Sequence, residues 1–224
     1  MRMLILFLVL ALAGCGPGGA SYADSPKSVA VAGDSITWRT GQCQALEGCD
    51  ASGSWATYLL QASGGSKRVI LNAGRGGDTC TDQVPYSAGP FVGQRRGLIN
   101  RVQQIIDAKP DQAIVLIGVN DVSVYGVQPL QVAACVATVR AQLQAAGVVV
   151  FVLTYPPIVG TSPVFGLTDA DARVRALNAA LIQGGAVDTS TAWPDWAAPY
   201  MTTDGVHPNA SGAVNLALQV ARDK

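Results

Sequence analysis

Three residues from two distant parts of this chain are of the types that together activate a hydroxyl group. Ser35 follows an apolar run, and His207, the single histidine, stands three residues after Asp204. A serine between a strand and a helix is most often an N-cap, and its hydroxyl is nearly inert unless a base removes the proton. Histidine has an ordinary pKa near 7, and a nearby carboxylate fixes its tautomer. The set therefore predicts Ser35 as nucleophile, His207 as base and Asp204 as the residue that orients the base.

A serine that attacks a carbonyl also needs hydrogen-bond donors for the oxyanion that forms. Three candidates are the backbone N–H of Ser35, the N–H of Gly77, which has no Cβ to block a substrate, and the neutral side-chain amide of Asn120. Gly74 and Gly76 compete with Gly77, which we prefer because it directly precedes an Asp-Thr pair. The alternative roles are turn geometry for the glycines and loop hydrogen bonding for Asn120.

The elements that must position these residues alternate between short apolar runs and longer amphipathic stretches. The runs predict strands at 29–32, 69–71, 113–117, 148–153 and 186–187, and the stretches predict helices at about 54–63, 92–108, 129–146, 169–183 and 209–222. Strands that are apolar throughout indicate a parallel sheet covered on both faces. In such sheets the ligand site lies at the carboxyl ends of the strands, which is where the candidate residues fall.

Four segments in particular are expected to meet at that edge: GDSIT at 33–37, NAGRGGDT at 72–79, GVND at 118–121 and DGVHP at 204–208. In content and order they resemble the four signature blocks of the SGNH (GDSL-type) hydrolases, over about residues 29–220. The resemblance implies a flavodoxin-like three-layer α/β/α sandwich with a five-stranded parallel sheet. It also implies that Ser35, Asp204 and His207 are catalytic and that Ser35, Gly77 and Asn120 form the oxyanion hole. The Gly-x-Ser-x-Gly elbow of α/β-hydrolases is broken after Ser35, which disfavours that fold.

One carboxylate beside the nucleophile is assigned a different role. Asp34 precedes Ser35 directly, and a negative charge there would oppose formation of an oxyanion. Asp34 is therefore expected to be structural, bonded to nearby loop amides.

Composition limits the other functions that this chain could have. Of 224 residues, 49 % are hydrophobic and 13 % charged, with 15 basic and 15 acidic side chains, so the balance lacks the basic surface that nucleic-acid binding needs. A single histidine and the absence of a Cys-x-x-Cys pair argue against a metal site. The glycine-rich segment at 74–77 lacks the Lys-Ser/Thr of a phosphate loop. No cofactor is predicted.

The N-terminus has the pattern of an export signal. Arg2 precedes an apolar stretch that is too short to span a bilayer, and the stretch ends in Leu-Ala-Gly-Cys at Cys15, which resembles a bacterial lipobox. We expect residues 1–15 to be a lipoprotein signal with Cys15 lipidated, residues 16–27 a flexible tether and residues 28–224 the hydrolase domain. The expected location is the cell envelope, with a lipid anchor in the membrane. Cleavage after the Ala-Leu-Ala at 11–13 would instead release a secreted enzyme.

The remaining cysteines fit an oxidising compartment. With Cys15 assigned to lipid, four are left, and an exported chain with four cysteines suggests two disulfides in one of three pairings. Cys43 and Cys49 lie close together in a Gly-containing loop, so we pair them, which leaves Cys80 with Cys135. Small buried thiols are the alternative.

These observations predict a serine esterase that hydrolyses short acyl or acetyl esters, on a small-molecule or glycan substrate, through an acyl-enzyme. Short acyl groups are favoured because no long apolar insertion suggests a lipid-binding lid. Two alternatives remain open at this point. An O-acyltransferase acting on envelope or extracellular glycans would use the same acyl-enzyme with a sugar as acceptor, and a non-catalytic envelope lipoprotein would only bind.

Overall fold

The computed structural model describes residues 25–38, 54–156, 158, 168–189 and 204–222. Within them, parallel strands form a sheet in the order β2-β1-β3-β4. The strands are β1 (Lys27–Gly33), β2 (Lys67–Asn72), β3 (Gln112–Leu116) and β4 (Val149–Val152). In the register of the sheet, Val31 of β1 pairs with Asn72 of β2 on one side and with Ile114 of β3 on the other.

Helices flank this sheet, as the alternating pattern predicts. In the described residues they are α1 (Ser35–Trp38), α2 (Trp55–Ala62), α3 (Val102–Asp107), α4 (Val119–Ser123), α5 (Pro129–Ala145), α6 (Ala170–Gln183) and α7 (Ala210–Arg222). The first long helix, α2, packs against the last, α7, whereas α5 packs against both α3 and α6. None of the helices described here is both long and apolar enough to cross a membrane.

The two central strands form the middle of the core. Side chains at 29–32 and at 113–117 are at most 1 % exposed. Because helices cover both faces, neither strand alternates between apolar and polar residues. The carboxyl ends of β1, β2 and β3 lie side by side, so the loops that follow them share one edge of the sheet.

The predicted fifth strand at 186–187 is wrong for the part of the chain that the structure describes. Val187 forms only an isolated parallel bridge to Leu153. The ladder ends there because the N–H of Thr189 donates to the Thr154 hydroxyl at 2.9 Å and to the Val187 carbonyl at 3.1 Å, not to a neighbouring strand. The chain turns away after one paired residue.

The predicted helix at 92–108 is also shorter than expected. Gly93 and Gly97 have φ values of +78° and +103°, whereas an α-helix needs negative φ throughout. The N–H of Gly97 donates to the Asp78 carboxylate at 3.0 Å. A 3₁₀ turn (Leu98–Asn100) follows, and α3 begins only at Val102.

A disulfide joins Cys80, in the loop after β2, to Cys135 of α5. Their Cα atoms are 6.1 Å apart, and Cys80 is fully buried. This is the pairing expected once Cys43 is assigned to Cys49. Cys15, Cys43 and Cys49 lie outside the described residues, as do residues 1–24, so the expected lipid anchor, tether and second disulfide stay predictions.

Candidate active site

The three residues predicted for nucleophilic chemistry lie in contact at the carboxyl edge of the sheet. Ser35 opens α1 directly after β1, and His207 and Asp204 lie in the turn before α7. The Nε2 atom of His207 is 2.7 Å from the Ser35 hydroxyl oxygen. Its Nδ1 atom is 2.7 Å from a carboxylate oxygen of Asp204. The fold thus brings together Ser35 and His207, which are 172 positions apart in the sequence, and links them with Asp204 by hydrogen bonds.

The Asp204 carboxylate is itself held by the backbone. One oxygen accepts the N–H groups of Val206 at 2.8 Å and His207 at 2.9 Å, and the other oxygen faces the imidazole. Gly205, at φ +68°, allows the tight turn that brings these amides around. An ionised carboxylate only accepts hydrogen bonds, so Asp204 holds the ring proton on Nδ1. Nε2 then presents a lone pair to the Ser35 hydroxyl.

The candidate oxyanion donors lie at the start of α1 and in the segments that follow β2 and β3. The Asn120 amide, on α4, donates to the Asp78 carbonyl at 2.8 Å, which leaves its second hydrogen available. Gly77 has φ +70° and its N–H donates to no other described residue. The N–H of Ser35 lies in the first turn of α1, where helical N–H groups have no partner in the helix.

The two competing glycines have other structural roles. The Gly74 N–H already donates to the Asn72 side chain at 2.9 Å. A Cβ on Gly76 would lie 2.8 Å from the ring of Trp38, so Gly76 makes room for that ring. Trp38 also lies 5.4 Å from Phe91 between ring centroids, which places an aromatic pair beside the glycine loop. Of the three glycines, Gly74 is disfavoured as a donor by its bond to Asn72, and the choice of Gly77 over Gly76 stays a prediction.

A buried ion pair supports the loop that carries Gly77. Asp78 is fully buried and forms a salt bridge with Arg101, which is 9 % exposed. Arg101 also donates to the Ala73 carbonyl at 3.1 Å, so the guanidinium ties both ends of the loop together. Sequence reasoning missed this pair. The signal available was a single arginine inside the apolar helical stripe at 98–106.

A second buried carboxylate anchors the following residues. Asp121 accepts the N–H groups of Cys80 at 2.7 Å and Thr81 at 3.0 Å and the Thr81 hydroxyl at 2.5 Å. Burial raises the pKa of Asp121 to about 6, although these hydrogen bonds oppose the rise. Adjacent residues of α4, Asn120 and Asp121, therefore both hold the loop after β2. Sequence analysis identified only the first of them.

The carboxylate beside the nucleophile is structural in its contacts. Asp34 is fully buried, accepts the Ile36 N–H at 3.0 Å and accepts a hydrogen bond from the Tyr155 hydroxyl. Burial raises the pKa of Asp34 from 3.8 to about 7, while the bonds from Tyr155 and Ile36 and the proximity of His207 oppose the rise. Burial and the Asp34 charge raise the pKa of Tyr155 well above 10.0. The expected bond from a nearby backbone amide is present, although that amide belongs to Ile36 of α1 and not to a loop. Sequence analysis did not identify Tyr155 as a partner.

Comparison with known proteins supports the family resemblance. The family model of the GDSL-like lipases/acylhydrolases matches residues 31–213. No functionally curated protein is significantly similar to the chain in sequence.

Solved structures share the fold at low sequence identity. A carbohydrate acetylesterase of Sinorhizobium meliloti is similar at 17 % identity and TM-score 0.64, covering 88 % of this chain and 97 % of its own. An aryl esterase of Mycobacterium smegmatis has 19 % identity, the same TM-score of 0.64 and coverage of 88 % and 97 %. A GDSL-like lipase of Bacteroides thetaiotaomicron has 17 % identity, TM-score 0.62 and coverage of 88 % and 86 %.

Proposed function

The chain belongs to the GDSL-like lipase/acylhydrolase family and is a carboxylic ester hydrolase, and we propose that it works through an acyl-serine intermediate on Ser35. The observation that carries the proposal is the imidazole of His207, which contacts the Ser35 hydroxyl through one nitrogen and the Asp204 carboxylate through the other. A hydroxyl aligned with a neutral imidazole, itself oriented by a carboxylate, is the arrangement that nucleophilic acyl transfer requires.

In the first half of the proposed reaction, the Ser35 oxygen attacks the ester carbonyl carbon while His207 Nε2 takes its proton. The carbonyl π pair moves to the oxygen, which becomes an anion. When the tetrahedral intermediate collapses, the bond to the alcohol oxygen breaks and the imidazolium returns its proton to that oxygen. The alcohol leaves, and the acyl group stays bonded to Ser35.

The second half repeats these steps with water as the nucleophile. His207 removes a proton from the water as it attacks the acyl-serine, and then protonates the departing Ser35 oxygen. In both halves the oxyanion would accept hydrogen bonds from the backbone of Ser35 and Gly77 and from the Asn120 amide. Donors of this kind act strongly because they are held in place before the charge develops.

For the substrate, we propose short acyl or acetyl esters. The Trp38 and Phe91 rings stand beside the glycine loop and place rigid bulk next to the oxyanion donors. A likeness in fold to a carbohydrate acetylesterase is in keeping with a small acyl group. A series of p-nitrophenyl esters from acetate to octanoate tests this: kcat/KM is expected to be highest for acetate, and a maximum at octanoate would contradict it.

The nucleophile is tested with Ser35→Ala and with Ser66→Ala as the matched control. Ser66 is exposed and precedes β2, at the opposite edge of the sheet. Ser35→Ala is expected to lose hydrolysis of p-nitrophenyl acetate and labelling by a fluorophosphonate probe, whereas Ser66→Ala keeps both. Full activity in Ser35→Ala would refute the acyl-serine mechanism. If the native protein is neither labelled nor active, the result would favour a non-catalytic binding role. If an acetylated product forms only when a glycan acceptor is present, it would indicate an O-acyltransferase.

We also propose that the protein is exported and lipidated at Cys15. The buried Cys80–Cys135 disulfide supports export, because such bonds persist in oxidising compartments. Metabolic labelling with a fatty-acid analogue in a bacterial host is expected to mark the native protein and not Cys15→Ser. Labelling of neither would leave the secreted form as the alternative and refute the lipid anchor.

A further inference from the structure

Residues 82–97, here called the 82–97 loop, connect Thr81 to the 3₁₀ turn and form neither helix nor strand. They pack on the loop after β2 that carries Gly77. Tyr86 and Gly93 hold the two arms of the 82–97 loop together: the Gly93 N–H donates to the Tyr86 carbonyl at 2.9 Å. Near its base two arginines stand in succession. Arg95 points to Asp82 and forms an exposed ion pair with it, whereas Arg96 points to Gly77.

The Arg96 guanidinium makes four contacts: two hydrogen bonds and the rings of Tyr86 and Tyr125, the second with its centroid 5.8 Å from the guanidinium carbon. Its Nη1 donates to the Gly77 carbonyl at 2.5 Å and its Nε donates to the Val84 carbonyl at 3.1 Å. The guanidinium carbon lies 4.1 Å from the centroid of the Tyr86 ring, within the range of a cation–π contact. Among the described residues Arg96 forms no ion pair with a carboxylate, in contrast to Arg95.

These contacts act on the residue that the oxyanion hole depends on. Gly77 has φ +70°, a conformation that glycine adopts as readily as several others, so the residue itself does not fix the direction of its N–H. Arg96 binds the Gly77 carbonyl, and the Asn120 amide binds the next carbonyl, that of Asp78, at 2.8 Å. Two successive carbonyls are thus held by side chains while the Gly77 N–H remains available.

The charge of Arg96 would also favour binding of the oxyanion. Among the described residues Arg96 has no carboxylate partner, so it places an unpaired cation beside the Gly77 carbonyl. An oxyanion is stabilised by positive charge that is already in place. From these observations we propose that Arg96 is a positioning residue of the oxyanion hole, which holds the Gly77 donor through the carbonyl of that glycine. The inference rests on the proposed acyl-serine mechanism.

The test compares Arg96→Ala, Arg96→Gln and Arg96→Lys with the adjacent Arg95→Ala as matched control. Kinetics on p-nitrophenyl acetate are combined with thermal unfolding of each variant. Arg96→Ala is expected to lower kcat by about 10- to 100-fold with KM within about threefold, because a displaced donor affects the transition state more than substrate binding. Arg96→Lys should recover part of kcat, and added methylguanidinium should raise kcat of Arg96→Ala while leaving the native enzyme and Arg95→Ala unchanged.

Several outcomes would overturn the proposal. These are a native kcat in Arg96→Ala, an equal loss in Arg95→Ala, a loss confined to KM, or a loss that methylguanidinium does not relieve at any concentration that leaves the variant folded. If Arg96→Ala fails to fold, Arg96→Lys is compared with Arg96→Gln. Equal kcat values in these two variants, at equal thermal unfolding midpoints, would exclude a role for the charge. Ser35→Ala is measured in parallel: its full activity would refute the mechanism, whereas an inactive Ser35→Ala beside a fully active Arg96→Ala refutes only the role of Arg96.

Discussion

Replacing Asp34 with asparagine should make the protein more stable relative to the native chain as the pH rises. Asp34 has no exposed surface, and its oxygens accept hydrogen bonds from the Ile36 N–H and the Tyr155 hydroxyl. Asparagine has the same shape, its oxygen can accept the Ile36 bond, and its amide can donate to the tyrosine oxygen. The substitution therefore removes the charge while keeping the packing.

The sign follows from proton binding in the folded and unfolded states. Burial raises the pKa of Asp34 from 3.8 to about 7, so between these values the folded state binds a proton that the unfolded state does not. The free energy of unfolding of the native chain then falls as the pH rises through this window. Each tenfold change in proton affinity is about 1.4 kcal/mol, so the full difference between 3.8 and about 7 amounts to about 4 kcal/mol. Asparagine does not titrate, so the unfolding free energy of Asp34→Asn does not fall for this reason as the pH rises.

The assay is urea unfolding of the native chain and Asp34→Asn from about pH 4 to pH 8. The difference in unfolding free energy is expected to grow with pH and to level off above the folded-state pKa of about 7. Asp111→Asn is the control: the Ser28 amide and hydroxyl lower the pKa of that exposed carboxylate below 3.8, so the stability that its charge contributes is lost only as the pH falls below that value. The difference in unfolding free energy for Asp111→Asn should therefore stay constant from about pH 4 to pH 8. A flat difference for Asp34→Asn would refute the reasoning that desolvation governs this group.

Three further predictions concern the supports of the site. Reducing the Cys80–Cys135 bond, or replacing both cysteines with alanine, frees a loop of 55 residues and should lower the unfolding free energy by about 4 kcal/mol on loop entropy; equal urea midpoints with and without reductant would contradict this. Arg101→Met leaves the Asp78 carboxylate buried without its ion-pair partner, so it should lower the free energy of unfolding in urea by about 3–5 kcal/mol, and the double variant with Asp78→Asn should recover part of that loss. Asn120→Ala removes one proposed oxyanion donor and should lower kcat about 100- to 1000-fold with little change in KM; a kcat within about threefold of native would exclude that role.

The sheet was predictable because its signal is local. The runs at 29–32 and 113–117 are apolar at every position, which is typical of a strand covered on both faces. The helix at 92–108 was overpredicted because the apolar spacing at 98–106 is helical, whereas Gly93 and Gly97 adopt positive φ and the N–H of Gly97 binds a distant partner, Asp78. That partner is not visible in the spacing of residues.

The sequence alone determined which chemistry was possible, because one histidine, three residues after Asp204, left a single way to activate Ser35. Only the tertiary structure decided how the donors are held. The buried Arg101–Asp78 pair, the Tyr155–Asp34 bond and the Arg96–Gly77 contact join residues 19 to 121 positions apart. Such pairings depend on which loops the sheet order places at one edge, and no spacing along the chain encodes that.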